Sequence, residues 1–78
     1  MQLNTFRDPL QPVLIPEVVE RLVRSRTGVT VRSLRVEVEK NHIVICGRAA
    51  TYYTKQLATH AVLDALPHVR LTNEIEVF

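Results

Sequence analysis

The chain has no tryptophan, one cysteine and two glycines among its 78 residues. The lone Cys46 excludes an intrachain disulfide, and the core must form without such a staple. A zinc site is not expected either, because Cys46, His42, His60 and His68 lack the spacing of metal ligands. Aromatic residues are scarce, with two Tyr and two Phe. A nucleic-acid surface needs stacking rings and a strong basic field. A net charge of +2 and a pI near 9.1 supply neither. Long apolar runs are missing too. The opening MQLNTFRDPLQPVLIPE matches neither a secretory signal nor a membrane span. With Met1 taken as the native start, the expectation is a cytoplasmic protein. A free thiol is compatible with that reducing compartment. No cofactor motif is present, and none is expected.

What is present is patterning. Residues 1–12 carry Pro9 and Pro12 with mixed polarity and read as a lead-in; residues 13–78 read as a single domain. Pro16 suits the first turn of a helix, where its missing N–H costs nothing. Ile15, Val18, Val19, Leu22 and Val23 then recur at helical spacing, and Gly28 is placed to stop the helix. Glu17 and Arg21, like Glu20 and Arg24, sit four apart on the opposite face, each pair worth about 0.3–0.5 kcal/mol.

Leu34 to Gly47, LRVEVEKNHIVICG, reads as a β-hairpin. Leu34, Val36 and Val38 alternate with Arg35, Glu37 and Glu39, the period of a half-buried strand. Lys40-Asn41 makes the turn, with Asn41 suited to a left-handed backbone. Folding there sets Glu39 opposite His42, Val38 opposite Ile43, Glu37 opposite Val44 and Val36 opposite Ile45. Thr51 is placed to cap a second helix from about Tyr52 to Leu66. Its apolar face is read as Tyr53, Leu57, Ala61 and Ala65, flanked by Ala58, Val62 and Leu66, and Pro67 ends it. Leu71 to Phe78 reads as the last strand, with Leu71, Asn73, Ile75 and Val77 on one side. The order αββαβ predicts an α+β two-layer sandwich: a three-stranded mixed sheet with both helices on one face. Which hairpin strand the last strand joins stays open.

These segments together resemble a BON domain, the module named for bacterial osmotic-shock and nodulation proteins. The resemblance covers about Pro16 to Val77. It rests on VEVEKNHIVICG with its closing Gly47, on Thr51-Tyr52-Tyr53-Thr54-Lys55-Gln56-Leu57-Ala58, and on Asn73-Glu74-Ile75-Glu76-Val77. Three departures fall in loops. Asn41 stands where the family more often has glycine, His68 replaces the glycine before Val69, and the segment from Val69 to Asn73 is one residue short. The resemblance implies the αββαβ fold and a non-catalytic accessory role, often in the periplasm or envelope, with phospholipid as a proposed ligand.

The register points to two candidate surfaces. Helices needed on one sheet face leave the other open, and there Val44, Cys46, Phe78 and Arg35 form a candidate surface for a protein partner or a second copy. Arg21, Arg24, Arg26 and Arg32 form a candidate contact for anionic lipid, with Glu17 and Glu20 blunting their field. His42 beside Glu39 reads as a cross-strand surface pair, His60 as solvated, and His68 as a loop residue. Cys46 reads as a small apolar strand residue rather than a nucleophile. No nucleophile, base and orienting acid come together in the sequence, so catalysis ranks below both binding roles.

Overall fold

The structure, a computed structural model, describes residues 15–78; the lead-in at 1–12 lies outside them, as do residues 13 and 14. The element order is α1 (Pro16–Thr27), β1 (Val31–Glu39), β2 (His42–Ala49), α2 (Tyr52–Ala65) and β3 (Arg70–Val77). The strands lie in the order β1-β2-β3, with β1 antiparallel and β3 parallel to the central β2. The open question of the last strand's neighbour is thus answered by β2. Helix α1 packs over β1 and against α2, and α2 packs over β3. This is the two-layer α+β sandwich with a mixed sheet.

Local chemistry explains the boundaries. Pro16 opens α1, and Gly28 closes it at φ 62, donating its N–H to the Arg24 carbonyl at 2.8 Å. The Thr51 hydroxyl accepts from the Thr54 N–H at 3.1 Å, an N-cap worth about 1 kcal/mol. In the hairpin turn Lys40, not Asn41, takes the positive φ of 57. Asn41 has another task. Its side-chain amide donates to the His68 carbonyl, and its own carbonyl accepts from the Arg70 N–H, each at 2.9 Å. The turn thereby anchors the loop that leads into β3.

The core lies between the helices and the inner sheet face. Val19 and Val23 of α1 and Ala58 and Val62 of α2 meet Val31, Leu34, Ile43, Ile45, Ala49 and Ile75 of the sheet. The expected face of α2 needs correction. Tyr53 is 71% exposed and Ala65 is exposed, while Ala58, Ala61, Val62 and Leu66 are buried. The buried stripe is therefore the expected flank together with Ala61 of the expected face, and its two alanines let the helix approach the sheet closely.

The four predicted hairpin pairs all form, from Glu39 with His42 to Val36 with Ile45. Beyond them the register shifts between Arg32 and Arg35. Ser33, at φ 56, and Leu34 form a bulge opposite Gly47. A Cβ on Gly47 would come within 2.9 Å of Val31 Cγ1 and 3.0 Å of the Arg32 carbonyl oxygen. Glycine here is a requirement of close approach. Asn73 is a second fixed point. Its amide donates to the Lys55 carbonyl and the Thr59 hydroxyl, both at 2.8 Å, and its carbonyl accepts from the Ile75 N–H at 3.0 Å. One inward polar side chain so ties β3 to α2.

Gly47→Ala is expected to destabilise the fold by about 1–3 kcal/mol, because a backbone atom cannot yield as a side-chain tip does. Urea unfolding checks this as a lowered midpoint at unchanged slope. Asn73→Leu is expected to cost about 1–3 kcal/mol, since it leaves part-buried partners without their bonds. Thermal unfolding measures it.

Candidate open-face binding site

Among the described residues no helix packs on the outer face of the sheet, and its side chains fall into rows set by the pairing. Glu39, His42 and Arg70 form the row nearest the hairpin turn. Next come Glu37, Val44 and Thr72, then Arg35, Cys46 and Glu74, then Arg32, Arg48 and Glu76. The central strand is half-buried at His42, Val44 and Cys46, while the charged residues of β1 and β3 on this face are exposed. The face is an apolar seam between two charged edges.

Val44 and Cys46 are neighbours along that seam, as expected. Phe78 is not joined to them. It lies past the Arg48–Glu76 row, held by a bond from its N–H to the Ala49 carbonyl at 2.9 Å. The Arg48 guanidinium covers its ring at 4.8 Å from the centroid. Phe78 is thus half of a cation–π pair at one end of the face. Arg35 does flank Cys46 in the same row. The Cys46 thiol points the other way across the strand, donating to Glu74 Oε1 at 3.7 Å.

The four arginines of the second candidate surface do not come together. Arg21 and Arg24 lie on the solvent side of α1, Arg24 paired with Glu20 at 3.5 Å. Arg26 bridges to Asp64 of α2 at 2.8 Å and clamps the two helices. Arg32 stands on the opposite layer, in the open-face row with Arg48 and Glu76. The bulge sends it there.

His42 and Glu39 are opposite one another, but the imidazole bonds elsewhere, with Nε2 at 2.7 Å from the Thr72 hydroxyl. His60 and His68 are exposed, on α2 and in the following loop. Cys46 has Arg35 and Glu74 as row neighbours, and the nearest imidazole in register is roughly 13 Å along the strand. A shallow hollow of ≈ 260 Å³ lies beside His42, lined also by Glu37, Glu39, Val38 and Val44. Among the described residues no group of three or more His, Cys, Asp or Glu could hold a metal ion. No described helix is long and apolar enough to cross a membrane.

One feature escaped the sequence reading. Val29, Tyr52, Tyr53, Val77 and Phe78 are exposed large side chains. Their segments adjoin the end of the sheet where Val31, Ala49 and Val77 lie side by side, with Val77 on the inner face and Phe78 on the outer one. The helical spacing of Tyr53 to Leu57 suits a core position, but periodicity alone does not say which stripe faces inward.

A face that neither described helix covers makes a simple prediction. At low micromolar concentration the single thiol of Cys46 is expected to react stoichiometrically with a disulfide reagent in native buffer, without denaturant. A thiol that reacts only in denaturant would mean the face is covered. Comparison of the chain with protein-family models, with curated proteins and with solved structures gave no significant match.

Proposed function

We propose that this chain is a non-catalytic, BON-like binding module that engages a protein partner, or a second copy of itself, through the open face of its sheet. The observation that carries this reading is the seam of half-buried Val44 and Cys46 on the central strand, uncovered by either helix and bordered by exposed charge. Such a surface has the anatomy of an interface, with an apolar centre and a polar rim. The helical layer offers less. Its outer charges are partly spent on Arg24–Glu20 and Arg26–Asp64. A catalytic role has less support, because nucleophile activation needs an adjacent base and Cys46 and His42 are two rows apart.

A photo-reactive residue at position 44 tests the reading against one at position 21 on α1. Adducts formed in native extract from position 44 and not from position 21 are the expected result. Equal labelling from both positions, or none, would remove the open face as the binding surface.

A second reading is contact with an anionic phospholipid surface. It is favoured by one observation, the exposed Tyr52, Tyr53 and Phe78 on segments at one end of the sheet, with the Arg48 guanidinium over the Phe78 ring. Amphipathic rings beside a cation suit a membrane interface. Vesicles containing phosphatidylserine are expected to co-sediment the protein at low salt, with Tyr52→Ser/Tyr53→Ser reducing the bound fraction several-fold. Absence of wild-type binding at low salt, where attraction is strongest, would sink this second reading.

A further inference from the structure

We infer that the occupant of the open face is a second copy of this chain, packed face to face about a two-fold axis that runs across the strands. The inference rests on the reading of that face as the binding surface, and its new content is the partner and the register. The charge distribution carries it. From the hairpin end, β1 presents Glu39 and Glu37, then Arg35 and Arg32. From the same end, β3 presents Arg70 and Thr72, then Glu74 and Glu76. One edge runs from acid to base and the other from base to acid. The two ion pairs formed among the described residues, Arg24–Glu20 and Arg26–Asp64, use none of these side chains.

Such a face is complementary to itself. A two-fold axis lying between the sheets, midway between the Val44 and Cys46 rows, turns the face end over end. Val44 of one copy then meets Cys46 of the other. Glu37 meets Arg35, Glu39 meets Arg32, and Arg70 meets Glu76, each contact repeated by symmetry. His42 falls opposite Arg48. The alternative axis, along β2, also matches acids to bases at the edges but sets Arg48 against its own symmetry mate. Like charges juxtaposed at an interface are costly, so the axis across the strands is preferred. Stacked sheets lie about 10 Å apart with strands within roughly 30° of each other, a spacing these side chains can fill. Three strands and four rows give a footprint of roughly 14 Å by 20 Å on each copy. That is below the usual size of a tight complex, so the dimer is weak and concentration-dependent.

Sedimentation equilibrium of the purified full chain provides the test. Between about 10 μM and about 1 mM the mass is expected to rise from the 8.9 kDa monomer toward twice that value. Arg35→Glu is expected to weaken association at least about tenfold, because it faces Glu37 in both symmetry-related contacts. Glu37→Arg/Arg35→Glu exchanges the two charges and is expected to return the affinity to within about threefold of the parent. Arg21→Glu, on the far side of α1, is expected to leave it unchanged. Circular dichroism on each variant establishes that these surface changes leave the fold intact. A monomer at every concentration, an inert Arg35→Glu, or a double exchange that fails to restore association would each overturn the proposal. The position-44 cross-linker separates the two failures. A monomeric chain that still gives specific adducts from position 44 loses the second copy as partner and keeps the open face. A monomeric chain with no such adducts loses both.

Discussion

The close approach of Gly47 to the bulge at Ser33 and Leu34 is the constraint on which the rest of the structure depends. Along a regular strand Leu34, Val36 and Val38 share a face with Arg32, and Val31 would point away from them. One extra residue at the bulge reverses that phase. Val31 turns into the core at 2% exposure, and Arg32 turns out to the open face. Both halves of β1 then bury their apolar residues against the same helices. The cost is a positive φ at Ser33 and a contact that only glycine fits on the facing strand. The same device therefore completes the core and places Arg32 on the outer face of the sheet.

That explains what could be read in advance and what could not. The hairpin was legible from Leu34 to Ile45 because strict alternation and a two-residue turn leave a single register. The helix boundaries were legible within a residue from Pro16, Gly28, Thr51 and Pro67. The bulge left a signal, a phase break between Val31 and Leu34, but it can be recognised only once Gly47 is known to lie opposite. Helix α2 misled because it is apolar on several sides, so Tyr53 and Ala58 both fit a plausible stripe. Packing against the sheet selected the smaller residues.

The candidate surfaces were harder to read because they are properties of strand order. Arg35, Cys46 and Glu74 come from three strands, and they form a row only when β2 lies between the others. Pairing β3 with β1 instead would have produced a different pattern of charge. The arginine cluster failed for a related reason. Arg24, Arg26 and Arg32 are close in sequence, yet the turn at Gly28 and the bulge leave the first two on the exposed side of the helical layer and carry Arg32 to the outer face of the sheet. Nearness along the chain says little about nearness in a sandwich whose layers are only a few residues apart in sequence.

Core size connects the fold to the open face. Among the described residues the buried apolar set is built from Val, Ala, Ile and Leu, with no aromatic ring in it. Small domains with such cores keep only a few kcal/mol in reserve. Both described helices and every strand contribute to the core on the inner sheet face, and neither described helix covers the outer one. A ligand or partner that binds the outer face adds its binding free energy to folding, because it recognises the paired strands and not the unfolded chain. The seam at Val44 and Cys46 is then more than a surplus of apolar surface. On the proposed reading, it is where a small domain gains stability by association, and the alternating charges at its edges restrict which molecule can supply it.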